Sequence, residues 1–168
     1  LLVIAAFLVS AFHGENFTSH GFKPEGWHGV FTAIATSGIV FSYLGFRQGI
    51  ELAGETDNPR RNVPIAVVGS VVLTGLIYIA LQVAFIGALP PSVISDSGGW
   101  AQLSFENDFG PLAAVATLLG MSWLAVLLYI DAIVSPGDTG LIYTTVTSRI
   151  SYAMARNGNA PQVLARTT

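Results

Sequence analysis

The 168-residue chain is 52% hydrophobic and only 10% charged, with a formal net charge of −3 and a mean hydropathy of +0.62. A soluble domain carries about 25% charged residues, so this chain lacks the polar side chains to cover a water-exposed surface, and a soluble enzyme or a disordered segment is excluded. Acidic residues outnumber Lys and Arg, which removes a basic nucleic-acid footprint, and the absence of cysteine removes a disulfide scaffold or a thiolate metal site.

Four apolar stretches follow one another, at about 1–12, 29–54, 64–89 and 111–148. The first has no charge but is too short to span a bilayer, which takes about 20 residues. Without a basic start or a small-residue cleavage site it does not read as a signal peptide. It reads as a partial helix, and the chain as one transmembrane region within a longer polypeptide. The connection over 13–28 is polar and aromatic, with Gly14, Gly21, Pro24 and Gly26 as breakers. Its three histidines, His13, His20 and His28, do not have the spacing of zinc ligands. Its Asn16-Phe17-Thr18 tripeptide is a glycosylation pattern of a kind common by chance.

The second stretch is polar in its middle, where Phe41-Ser42-Tyr43-Leu44-Gly45-Phe46-Arg47 places hydroxyls, a glycine and a guanidinium at membrane depth. Broken helices are tolerated there when they line a water-filled cavity, and their freed backbone groups bind substrates and ions. The pattern predicts a break within residues 42–47, at Gly45, with Gly38 and Gly54 serving close helix packing. A charge in a span is costly and needs a partner. Arg47 has one available in Glu51, four residues on. The pair reads either as a plain salt bridge or as a gate and counter-charge for substrate.

Residues 55–63 form a short connection carrying Arg60 and Arg61, and residues 64–89 are uncharged throughout. The next connection is acidic and Pro/Gly-rich, and its Trp100 to Phe105 segment is expected to lie amphipathically at the interface. In the fourth stretch Asp131, Ser135, Asp138, Thr145 and Arg149 share one helical face, extended by Thr139 and Tyr143. Pro136 lacks an N–H and crowds the carbonyl of Ala132, so a kink or opening is expected there. Two carboxylates beside that proline point to an ion or proton pathway, with Asp138 the preferred protonatable group. An intramembrane aspartyl protease is excluded, because residues seven apart on one helix are about 10 Å apart and cannot share a proton.

Arg60, Arg61, Arg149, Arg156 and Arg166 flank one side of the spans, while Lys23 is the lone base in the other connections. The positive-inside rule then places the 55–63 connection and the C-terminal end in the cytoplasm.

Two segments carry a family resemblance. Phe41-Ser42-Tyr43-Leu44-Gly45-Phe46 followed by Glu55-Thr56-Asp57-Asn58-Pro59-Arg60-Arg61-Asn62-Val63-Pro64-Ile65-Ala66 resembles the sixth helix and next loop of amino acid permeases of the amino acid–polyamine–organocation superfamily. Ser148-Arg149-Ile150-Ser151-Tyr152-Ala153-Met154-Ala155-Arg156-Asn157-Gly158-Asn159-Ala160-Pro161 resembles that superfamily's motif after the eighth helix. The chain would then run from the end of helix five through helix eight.

The resemblance implies an all-α integral membrane protein of two inverted five-helix repeats with broken helices, residing in the cell membrane and working by alternating access. Its substrate would be a small amino acid, its other partners the lipid bilayer and the remaining helices of the same polypeptide. No cofactor, metal, nucleic acid or catalytic residue is implied, only a coupling H+ or Na+. The substrate-binding residues would be Phe41 as a lid, the backbone around Ser42, Tyr43, Leu44 and Gly45, and Thr139 and Tyr143. Coupling or gating would fall to Arg47, Glu51, Asp131 and Asp138. Arg47 departs from many relatives and speaks against cationic substrates. The competing expectations are an uncoupled exchanger and a non-transporting membrane scaffold subunit.

Overall fold

The computed structural model describes residues 1–10, 12–19, 21, 25–36, 38–51, 53–105 and 110–166. The described elements are helical: α1 (Leu2–Ser10), α2 (Gly26–Thr36), α3 (Phe46–Glu51), α4 (Pro59–Ala88), α5 (Pro91–Asp96), α6 (Pro111–Leu118) and α7 (Ser122–Arg156), joined by turns and short 3-10 segments. Helices α4 and α7 are long and apolar enough to cross a membrane; α2 and the Phe41–Glu51 segment meet the same criterion only when taken together. His20, Lys23, Pro24, Glu106 and Asp108, which the sequence reading used, lie outside the described residues.

The third and fourth apolar stretches differ from their sequence outlines. α4 begins at Pro59, so Arg60 and Arg61 are helical. Cations at a helix N-terminus oppose the macrodipole, so those arginines do not serve helix stability. The helix starts there because Pro suits a first-turn position and the Asn58 carbonyl accepts from the Arg61 and Asn62 amides, both at 3.0 Å. The fourth stretch divides at residues 119–121 into α6 and α7. Gly120 has φ +73° and the Met121 amide returns to the Ala116 carbonyl at 2.8 Å, a left-handed glycine termination. At Pro136 α7 does not open, as residues on both sides stay helical. One proline removes one ladder bond, and the flanking bonds carry the helix through.

The chain divides into two compact units, and both long helices run from one into the other. The first comprises Leu1–Tyr43 and Val72–Asp131. Its core joins Ile4 and Phe7 of α1 to Ala84 and Ala88 of α4, Leu89, Ile94 of α5, Ala113, Val115 and Ala116 of α6, and Leu124 and Ala125 of α7. Alanines at these contacts let helices approach closely. Trp100, Leu103 and Phe105 pack against this core, and the segment forms a 3-10 turn over Trp100–Gln102.

The end of α4 is closed by the segment after α1. The last four carbonyls of a helix lack intrahelical donors. Here the His13 amide donates to the Gly87 carbonyl at 2.8 Å, and the buried Asn16 carboxamide donates to the Ile86 and Leu89 carbonyls, each at 2.8 Å. Phe12 lies so close to Gly87 that a Cβ there would collide with its ring.

The second unit comprises Leu44–Val71 and Ala132–Thr168. Val146 and Ala155 of α7 are buried, while α7 is exposed along its whole length from Asp131 to Thr145.

Candidate functional site

The second apolar stretch leaves α-helix in its middle. α2 ends at Thr36 and α3 begins at Phe46, with a single 3-10 turn over Phe41–Tyr43 between them. The break is therefore present, but its left-handed residue is Gly38, at φ +75°, and not Gly45. Gly38 was expected to serve packing. A side chain there would cost about 1–2 kcal/mol in the left-handed region, so glycine is required by the turn. Gly45 also lies outside helix, in the turn that leads into α3.

Within the first unit the turn is built from its own backbone. The Ser42 amide donates to the Gly38 carbonyl at 3.1 Å and the Tyr43 amide to Val40 at 3.2 Å. The Ser42 hydroxyl also donates to the Gly38 carbonyl, at 3.2 Å, which commits it locally and leaves the Ser42 carbonyl as the group the turn offers. Phe41 is 71% exposed. Tyr43 meets Tyr78 of α4 edge-on, with ring centroids 5.5 Å apart and planes at 78°. The Tyr78 hydroxyl donates to the Ser42 carbonyl at 3.3 Å.

Within the second unit the Leu44 carbonyl accepts from the Arg47 amide at 3.2 Å, so it is spoken for by the first turn of α3. Arg47 and Glu51 approach to 4.0 Å, with the Arg47 side chain 64% exposed. Thr139 donates its hydroxyl to the Ser135 carbonyl at 2.9 Å, while Asp138 and Tyr143 stand exposed on α7. Asp131, in the first unit, is exposed as well. The structure thus brings Ser42 and Tyr43 together within one unit, and Arg47 and Glu51 within the other.

A cavity of about 500 Å³ lies in the first unit, lined by Asn16, Phe17, Val83, Phe85, Trp100 and neighbours. None of the sequence-predicted residues lines it. Sequence reasoning missed Tyr78 and Asn16. A lone phenol in the aliphatic run of α4 is the signal that was present, since a hydroxyl in an apolar span seeks a partner.

A family model described as amino acid permease matches residues 1–168. The chain is 48% identical over 166 residues to a glutamate/serine transporter of Bacillus subtilis (strain 168), covering 98% of this chain and 30% of that protein. It is 42% identical over 157 residues to an aspartate-proton symporter of the same organism, covering 94% of this chain and 30% of the relative. A branched-chain amino acid permease of that organism is 26% identical over 167 residues, covering 99% of this chain and 33% of the relative. The chain thus spans about a third or less of the length of these relatives. No solved structure matches.

Proposed function

The chain belongs to the amino acid permease family, and from that membership we propose that it forms part of a secondary transporter moving amino acids across a membrane by alternating access. The relatives named above are transporters, not enzymes. The observation that carries the reading is the interruption between α2 and α3 inside an apolar stretch. Unwound backbone at membrane depth is stable only where it lines a cavity or a site.

The substrate class we infer is acidic amino acids, with serine as a smaller alternative. Two supports converge: the names of the two relatives above 40% identity, and an exposed guanidinium at Arg47 just after the break. In this reading the Ser42 carbonyl receives the ammonium group and Phe41 covers it. Tyr43, Leu44 and Gly45 continue the segment, and Thr139 and Tyr143 are proposed as substrate-binding residues of α7. Arg47, held by Glu51, answers its side-chain carboxylate. Protons are the inferred coupling ion, supported by the name of the aspartate-proton symporter, with Asp138, and Asp131 as second choice, carrying them. In this reading the protein resides in the cell membrane, crosses it with α4, α7 and the α2–α3 segment taken together, and keeps residues 55–63 in the cytoplasm. The arginines at 60 and 61 support that orientation.

Ligand binding by the full-length protein tests the substrate class. A ligand that binds only the folded state raises the unfolding temperature. Glutamate, aspartate and serine should each do so in detergent solution, and lysine should not. Stabilisation by lysine alone would overturn the acidic assignment.

A further inference from the structure

The third apolar stretch, α4, entered the sequence reading as a plain span, yet it holds the turn that the substrate reading depends on. Three contacts converge within the first unit. The Tyr78 hydroxyl donates to the Ser42 carbonyl at 3.3 Å. The Tyr78 ring receives the Tyr43 ring edge-on at 5.5 Å, an arrangement that aromatic quadrupoles favour. Gly75, one turn earlier on α4, lies beside the Tyr43 phenol: a Cβ at that position would stand at ordinary contact distance, 3.4 Å, from the Tyr43 hydroxyl oxygen. The Tyr78 ring walls in Tyr43, and its phenol reaches the carbonyl.

In an unbroken helix the Ser42 carbonyl would accept from the amide four residues on, that of Phe46. The break removes that regular ladder; the Ser42–Tyr43 peptide plane is held on its amide side by the Tyr43 bond to the Val40 carbonyl at 3.2 Å, which leaves its carbonyl side to be held. Tyr78 supplies a donor from a neighbouring element. A carbonyl oxygen has two lone pairs, so a donor on one leaves the other for a second partner and fixes where that second lone pair points. Binding gains when a receiving group is oriented before the ligand arrives, because the ordering cost is not met at the moment of binding.

We propose that Tyr78 is a positioning residue for substrate, orienting the Ser42 carbonyl so that its second lone pair receives the ammonium group of an amino acid. This rests on the transporter reading given above. Tyr78 itself does not touch the substrate. It acts through Ser42, and its ring fixes Tyr43 at the same time. The hydroxyl and the ring have separable tasks: the hydroxyl sets the carbonyl, while the ring seats Tyr43.

Tyr78→Phe in the full-length protein separates them, since phenylalanine keeps the edge contact and removes only the donor. Two measurements are made. In liposomes the KM for glutamate should rise about threefold to tenfold, the range one hydrogen bond supports, with Vmax within about twofold of the parent. A lowered KM would mean that the phenol competes with substrate for the carbonyl, and an unchanged KM with fallen Vmax would mean that it serves movement; either result overturns the proposal. The second measurement, hydrogen exchange without substrate, reads the anchor itself. Amides over residues 38–45 should exchange faster in the variant while those of α4 do not. Unchanged exchange over 38–45 overturns the anchoring. If the parent moves no amino acid, the transporter reading falls on that result alone, while the exchange comparison still decides whether Tyr78 holds the turn.

Discussion

The Asn16 carboxamide donates to the Leu89 carbonyl at 2.8 Å across 73 positions of sequence. The same nitrogen donates to Ile86 at 2.8 Å, so both of its hydrogens are used to close the end of α4. Asn16 is 3% exposed. Asn16→Ala leaves two helix-end carbonyls without their donor and should cost about 1–3 kcal/mol. Asn16→Asp should cost more, because a carboxylate has no donor and would face two carbonyls. Thermal unfolding of the purified full-length variants checks the order, and equal stability of all three proteins would contradict it.

Gly38 and Gly45 should respond differently to the same change. Gly38 sits at φ +75°, whereas Gly45 does not have positive φ. Gly38→Ala therefore carries a left-handed penalty of about 1–2 kcal/mol or forces the turn into another shape, and Gly45→Ala carries no such penalty. Substrate affinity measured by equilibrium binding should fall clearly for the first and little for the second. The reverse order would place the critical turn at Gly45.

The Arg47–Glu51 pair is at 4.0 Å with Arg47 64% exposed. What Arg47→Gln should shift is selectivity: competition by glutamate and aspartate against labelled serine should weaken, with serine uptake kept. Equal loss for all three amino acids would assign Arg47 to gating instead of charge recognition.

Asp138 stands exposed on α7, next to Thr139, whose hydroxyl returns to Ser135. As the proposed proton carrier it should be needed for accumulation and dispensable for exchange. Asp138→Asn should abolish proton-driven accumulation of glutamate while counterflow of labelled against unlabelled glutamate persists. Unchanged accumulation would remove Asp138 from coupling and leave Asp131 to be tested in the same way.

The helical, membrane-spanning character was legible because it rests on summed apolarity, which a sequence states directly. The break over residues 42–47 was legible from the polar residues around Ser42 and Tyr43, but its left-handed residue, Gly38, was not. Composition marks where helix is weak, whereas the sign of φ at Gly38 is set by how the two helix pieces are joined, and any glycine nearby could have supplied it. The division at Gly120 lies between two apolar runs, and apolarity alone does not distinguish one helix from two. Asn16 and Tyr78 were missed for one reason: each acts on a carbonyl far away in sequence, Leu89 and Ser42, and no local pattern encodes that pairing. At Pro136 the helix stays closed, because a single lost ladder bond does not open a helix of this length.

The proposed function makes these residues part of a proton-coupled carrier of acidic amino acids with its substrate at the Ser42 turn. Uptake by the full-length protein in liposomes, under an imposed inward proton gradient, tests it most directly. Labelled glutamate and aspartate should accumulate above their external concentration and should stop accumulating when a protonophore collapses the gradient. Well-folded protein that accumulates neither of them under a proton gradient would contradict the account.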